Sequence, residues 1–446
     1  MNRGWEVSYH FSLKRAIVWT LGVWIANFIA LVSSRPPLML HMRRGASFLT
    51  QLRLEWLAMR KHSSVRGTGG ALTVQLLGST DDVVSPEDNI DLISGRDFIY
   101  LDVPKTSHAN IIQVDPHFTE KDSRSGILFD ALTLDLDALN ERAVAISDQP
   151  LPNEEPKVRD VIFVVHGIRD VGYWTQKIAR RVIARSRIYT QEKAPSNPRE
   201  RVFAMETASY GYFPMAPFLF ASRRQQKVEW LMNQYAEAVA NYPNAKFSCI
   251  AHSNGTYLVA KALEEYASCR FKRIVFAGSV VRRNFDWTQY INAKRVDAVL
   301  NYVATDDWVV AFFPKLFELL RIQDLGSAGF DGFADQDPAS LWQVCYVKGD
   351  HGAALREEHW DDIADFVVKP VTESHPLPQP LPQPEGSPQS WWIKIVSQWP
   401  PLVWAIILAL LTGVGWLIAW IAPNDVIRTA ALLLYLKVLW EIVTRL

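Results

Sequence analysis

The middle of the chain predicts an α/β fold, a mostly parallel sheet covered by helices on both sides. Three observations point there. Residues 161–167 (VIFVVHG) form a continuous apolar run ending in a turn, as in a strand buried on both faces. The runs after it alternate between strand-like and helical periods. The chain also has 446 residues, enough for one large α/β domain or two ordinary ones.

Taken in order, residues 171–185 carry a helical period and 201–206 a shorter strand. Residues 225–242 place Val228, Leu231, Met232, Tyr235 and Val239 on one helix face. A strand is expected at 247–251 and a helix at 256–266. Further strands are expected at 273–277, 299–304 and 341–347, and a closing helix at 357–368.

Composition narrows the function classes. The 47 Lys and Arg balance 47 Asp and Glu, so no global field favours nucleic acid. No glycine-rich phosphate loop or zinc spacing is present, so neither a metal nor a cofactor is expected. The three cysteines, Cys249, Cys269 and Cys345, are odd in number and argue for a reducing compartment rather than a disulfide framework.

Hydrophobic content of 49% points to membrane contact. Residues 16–32 are about 17 residues without a charge, the lower limit for a transmembrane helix. A buried helix or a cleaved signal are the other readings of that segment. Residues 403–422 are uncharged over about 20 residues, with tryptophans towards both ends as in an interfacial belt. After a Pro423-Asn424-Asp425 turn, residues 426–443 return as a second apolar run, giving a transmembrane hairpin. Basic residues flank these segments too evenly to fix orientation. The unpaired cysteines favour a membrane location with the central domain on the cytoplasmic face.

The organisation that follows has five parts. Residues 1–35 hold the N-terminal apolar segment and 36–157 an accessory region. Residues 158–372 form the central domain, 373–398 a Pro-rich linker and 399–446 the hairpin. In the linker, proline density gives an extended spacer rather than a core element.

The chemistry rests on FSCIAHSNGTYLVA at 247–260. A serine stands at the corner between a buried strand and a helix, with Ala251 two residues before it and Gly255 two after. Such a corner is tight and strained, so both flanking positions must be small. Alanine in place of the more usual glycine adds one methyl group, which a slightly wider turn accommodates. The corner lifts the hydroxyl above a helix N-terminus, where free amides favour developing negative charge.

With VVHGIRD, AHSNG, ATDDWVV and KGDHGAAL in that order, residues 158–368 resemble the α/β-hydrolase superfamily. Within it they look most like bacterial serine hydrolases with His-Gly-Ile-Arg after the first strand. Such proteins have a tryptophan soon after, here Trp174, and an SYGYF-like stretch, here 209–213. The resemblance implies an α/β-hydrolase fold and a triad of Ser253 as nucleophile, His351 as base and Asp307 as acid. Asp306 is the alternative acid. It also implies an oxyanion hole from the backbone amides of Ile168 and Asn254. His166 is expected to serve the turn, and His359 to be a surface or packing residue.

A half-repeat precedes this domain. Residues 74–111 contain a strand ending in Thr-Asp-Asp near two valines, then a strand leading to a turn histidine, the grammar of 299–310 and 341–355. Asp82 and His108 thereby match Asp307 and His351. The region resembles the last two strands of a second hydrolase sheet with no serine corner upstream, so a remnant of a tandem domain, or the tail of one that begins on a partner chain, is one reading and chance similarity another.

The expected function is a membrane-anchored serine hydrolase cleaving an acyl ester such as a lipid. Two other classes stay open: a non-catalytic membrane adaptor on the same fold, and a serine peptidase. The aromatic, twice proline-broken stretch 209–221 stands where an acyl-binding wall or an ordinary bent core helix would.

Overall fold

A computed structural model describes residues 13–33, 37–66, 72–79, 84, 89–91, 98–108, 110–111, 113, 123–144, 154–168, 173–193, 203–206, 209–211, 213, 215–321, 323–334, 340–369 and 389–445. The chain divides into two compact units. One comprises residues 1–156 with 229–243 and 265–268, the other 157–228, 244–264 and 269–446.

In the first unit, helices α1 (Leu13–Ser33), α2 (Leu38–His41) and α3 (Ser47–Arg66) precede strands β1 (Val74–Gly78) and β2 (Ile99–Val103). Helices α4 (Arg124–Thr133) and α5 (Leu136–Arg142) follow. Ser123 and Asp135 start the last two by accepting the amides of Gly126 and Ala138, at 3.0 and 2.9 Å. Ile99, Leu101 and Val103 of β2 alternate inward against Ile127 and Leu139. Strands β1 and β2 pair in parallel, Val74 opposite Ile99. Beyond β1, the Ser79 amide donates to Val103 O (3.2 Å) and its hydroxyl accepts the Lys105 amide (2.8 Å). His108 lies in an exposed turn; Asp82 falls outside the described residues.

The second unit is built on six parallel strands. In chain order these are β3 (Asp160–Val165), α6 (Tyr173–Lys193), β4 (Phe203–Glu206), α7 (Met215–Phe218) and α8 (Ala221–Asn241). Next come β5 (Lys246–His252), α9 (Asn254–Glu265), β6 (Phe271–Ala277), α10 (Trp287–Asn292) and β7 (Val296–Ala304). After these come α11 (Trp308–Leu320), α12 (Ala328–Asp331), β8 (Leu341–Val347) and α13 (Trp360–Val368). The second part of α8, from Glu229, counts with the first unit.

Strand order is β4-β3-β5-β6-β7-β8, every pair parallel. All but the first residue of β3 and all but the ends of β5 are buried, so both faces of the sheet are covered, as an all-parallel sheet requires. On one face Ile162, Val164, Ile250, Val275 and Leu300 pack with Ile178 and Val182 of α6 and with Ile363 and Val367 of α13. Arg181 and Arg185 reach Asp361 and Asp365 along the seam between those two helices.

The chain steps from β3 out to β4, then back past β3 to β5, and the order reverses between β3 and β5. At such a point the loops leaving the strand ends diverge and open a crevice at the carboxyl edge.

The C-terminal part holds α14 (Trp391–Gln398), α15 (Pro400–Ile421) and α16 (Asp425–Arg445). Residues 391–398, grouped by composition with the Pro-rich linker, are therefore helical; 370–388 lie outside the described residues. Among the described residues α15 is the one helix long and apolar enough to cross a membrane. The described apolar stretch of α1, Ile17–Ala30, is shorter than a span needs. Helix α16 returns along α15: the Tyr435 hydroxyl donates to Leu411 O (2.8 Å), and Arg428 Nε donates to Ala419 O (2.9 Å).

Candidate active site

Ser253 sits between β5 and α9 with φ +52°, the left-handed region that a side-chain-bearing residue enters only when its surroundings force it. Two close approaches do the forcing. A Cβ on Gly255 would lie 2.5 Å from Val165 O, and one on Gly167 would lie 2.7 Å from Ser253 Cβ and 3.3 Å from its Oγ. Glycine after the serine and glycine in the His-Gly turn thus let the ends of β3 and β5 close on each other. That is the crevice where the strand order reverses.

Asp307 is the N-cap of α11, accepting the Val310 amide at 3.0 Å, and is fully buried. Its two carboxylate oxygens lie 3.0 and 2.9 Å from Nδ1 of His351. Asp306 points elsewhere, accepting from the hydroxyls of Thr305 (2.6 Å) and Ser390. Of the two candidate acids, the structure brings Asp307 alone to the imidazole.

Burial alone would lower the His351 pKa, but the charge and hydrogen bond of Asp307, with Asp350 adding, hold it above the ordinary imidazole value. Its Nε2 is buried and has no hydrogen-bond partner among the described residues. Serine and histidine meet on one turn. The Ser253 amide donates to Ala277 O (3.0 Å), and the next residue, Gly278, lies against the imidazole. Gly278 has φ +54°, and a Cβ there would stand 2.7 Å from His351 Cε1 and Nδ1. The serine hydroxyl makes no hydrogen bond to Nε2 here, and catalytic hydrogen bonds of this kind often tighten only when substrate is bound.

Neither the Ile168 nor the Asn254 amide takes part in a loop or cap hydrogen bond among the described residues. Asn254 opens α9, so its amide is one of the unfilled donors of a helix N-terminus. The Asn254 side chain donates to the Tyr210 hydroxyl (3.2 Å), which in turn donates to His166 O (2.9 Å).

His166 is fully buried and occupied on both ring nitrogens, Nε2 with Ser209 Oγ (2.9 Å) and Nδ1 with Gly167 O (2.8 Å). It stacks on Tyr210 at 4.2 Å. Its work is to pin the 209–211 segment to the His-Gly turn. His359 lies away from the dyad, beside Tyr302 (6.0 Å) and Glu358 (3.5 Å).

One residue escaped sequence reasoning although it adjoins the serine. The His252 ring packs 4.8 Å from that of His351, its Nε2 lies 3.3 Å from His351 O, and Trp174 meets it edge-on at 6.1 Å. Burial, with the nearby His351 charge, pushes its pKa down to about 3, so it is neutral. A neutral ring bonding that carbonyl donates from Nε2 and leaves Nδ1 bare. The only signal in the sequence was its position in Ala-His-Ser-Asn-Gly.

The cysteines form no disulfide, and burial raises the thiol pKa of Cys345 to about 11 and of Cys269 to about 12, so neither is a thiolate nucleophile. Among the described residues no group of His, Cys, Asp and Glu could hold a metal. Comparison with protein-family models and with curated proteins finds no match to the chain.

Proposed function

We propose that the chain is a membrane-anchored serine hydrolase of α/β-hydrolase type that cleaves an acyl ester through an acyl-enzyme. The observation that carries the reading is the buried Asp307–His351 pair at one turn with a left-handed serine at the strand-order reversal. Each part is what acyl transfer demands of it.

Ser253 Oγ attacks the carbonyl carbon and passes its proton to Nε2 of His351, the nitrogen with no partner. Asp307 holds Nδ1–H and stabilises the imidazolium without taking the proton. Negative charge on the carbonyl oxygen is received by the Ile168 and Asn254 amides, the latter backed by the α9 dipole. The imidazolium returns its proton to the leaving alkoxide. Water then repeats the sequence on the acyl-enzyme and frees the acid.

An amphiphilic ester is the favoured substrate class. Phe213, Met215 and Phe218 line an apolar stretch beside Tyr210, which is bonded to the oxyanion turn, and α15 provides the anchor. The cytoplasmic side suits the free thiols.

A fluorophosphonate probe tests the chemistry. Labelling of the detergent-solubilised full chain, lost in Ser253→Ala, supports it; a folded wild type that fails to label favours the non-catalytic adaptor. Turnover of an ester and an amide with the same acyl group separates esterase from peptidase.

A further inference from the structure

Only Trp399 separates the end of α14 from the start of α15, so whatever α15 does fixes where α14 lies. Its faces are sharply divided. Ile393 and Ser397, one turn apart, are buried, and Lys315 of α11 reaches the Ser397 hydroxyl at 3.4 Å. Trp391, Trp392 and Ile395 are exposed on the rest of the helix and Trp399 at its C-cap, with Trp391 at 74%. Three tryptophans and an isoleucine facing outward, with Lys394 among them, are costly against water. They suit the headgroup boundary, where indole rings settle and a lysine snorkels.

The helix is also tied at its start. The Ser390 amide donates to Thr305 O (3.3 Å), its hydroxyl bonds Asp306, and Gln389 Nε2 donates to Phe330 O (2.7 Å). At the other end, Trp404 in the first turns of α15 packs on Phe313 at 4.6 Å and donates from Nε1 to Phe312 O (3.3 Å). Phe313 is six residues along α11 from Asp307, or about 9 Å at 1.5 Å per residue.

We propose that α14 is an in-plane helix resting on the lipid bilayer surface, which seats the Asp306–Asp307 loop at the headgroups. This rests on α15 spanning the membrane. The partner is the bilayer itself. Its surface is continuous with the apolar span, and no second apolar layer from the described residues covers the tryptophan face. An ester whose acyl tail stays in the membrane then has a short path to Ser253.

The test uses the full chain in phosphatidylcholine–phosphatidylglycerol vesicles, with Cys345→Ser removing the one half-buried thiol. Nitroxide is attached singly to Trp391→Cys, Ile395→Cys, Leu410→Cys in mid-α15, and Asp297→Cys. The last is exposed at the start of β7, among the amino ends of the strands and opposite the carboxyl ends that carry the site. Power saturation compares collisions with oxygen, which partitions into lipid, and with a water-soluble nickel chelate. Expected are a deep 410, 391 and 395 at headgroup depth with nickel collisions several-fold below those of 297, and an aqueous 297. A deep 410 with 391 and 395 as wet as 297 overturns the inference alone. An aqueous 410 overturns the span and the inference together. Labels at 391 that broaden each other without oxygen contact show a second copy on this face and also overturn it.

Discussion

Replacing Asp307 by asparagine is the sharpest test of the proposed chemistry. Oδ1 of Asp307 accepts both the Val310 amide and His351 Nδ1, and Oδ2 accepts Nδ1 at 2.9 Å. Asparagine keeps one acceptor. If that oxygen continues to cap α11, the new NH2 faces Nδ1 and donates to it. The imidazole must then carry its own proton on Nε2, the nitrogen that should receive the serine's. A wrong tautomer costs a triad about 10⁴ in kcat, or about 5.5 kcal/mol of barrier at ~1.4 per decade. Asparagine caps helices about as well as aspartate, so stability should change by only about 1 kcal/mol.

The assay is kcat/KM for a chromogenic ester across pH, with thermal melting on the same samples. In wild type the rate should rise with pH through an inflection above the ordinary imidazole value, because Asp307 favours the protonated His351. The stabilising effect of that raised pKa is fully present below the unfolded value, about 6.5, and is lost as pH rises through the folded one. Asp307→Asn should abolish both features. Asp306→Asn, which disturbs only the Thr305 and Ser390 contacts, should stay within about tenfold, the scale of one modest hydrogen bond. A folded Asp307→Asn within tenfold of wild type, or an Asp306→Asn equally impaired, refutes the assignment.

Three further substitutions probe the same site. Ser253→Gly should kill turnover yet raise Tm by roughly 2–4 °C, since glycine tolerates φ +52° and about 1 kcal/mol of strain is relieved; a lower Tm would show the corner to be unstrained. Gly278→Ala puts a methyl 2.7 Å from the His351 ring and should cost about 100-fold in kcat with the far-ultraviolet dichroism intact; an unchanged rate would mean the ring is not held there. His252→Phe removes the bond to His351 O and should lower kcat about tenfold with KM little changed. Because folded His252 refuses a proton that the unfolded chain accepts at about 6.5, wild-type stability falls as pH drops from there towards 3. The phenylalanine variant should lose that part of the slope in acid titrations followed by fluorescence.

The sheet was legible because its strands are buried on both faces and leave unbroken apolar runs. Each strand from β3 to β8 lies where the runs place it, although β7 begins at Val296 rather than near 299. Asp297 is exposed there and breaks the run, while main-chain pairing with β6 carries the strand past it. Helix α11 was missed. WVVAFFPKLFELL is apolar except at Lys315 and Glu318 and carries Pro314 inside, a residue that speaks against a helix; one side buries Val310, Ala311 and Pro314 and another receives Trp404. Helix α14 was hidden by the prolines before it. The choice between Asp306 and Asp307 was open in sequence because adjacent side chains differ only in direction. That direction comes from the α11 cap, a feature invisible without the helix.

The strand pair β1–β2 repeats the end of the main sheet in its hydrogen bonds, and those bonds shift the sequence match by one residue. At β7–β8 the Thr305 amide donates to Val347 O and its hydroxyl accepts the Gly349 amide. At β1–β2, Ser79 does both towards Val103 and Lys105. Ser79 therefore stands for Thr305 and Lys105 for Gly349; both of the latter have positive φ. Counting two residues on from Lys105, Ser107 corresponds to His351. His108, the histidine the motif suggested, lies one place beyond that position, and Asp82 falls outside the described residues. An alkyl hydroxyl has no lone pair basic enough to take a proton at neutral pH, so this copy of the motif offers no second base. His108→Ala should thus leave ester turnover within about twofold of wild type, less than one modest hydrogen bond is worth, and a loss of tenfold or more would restore the histidine to the chemistry.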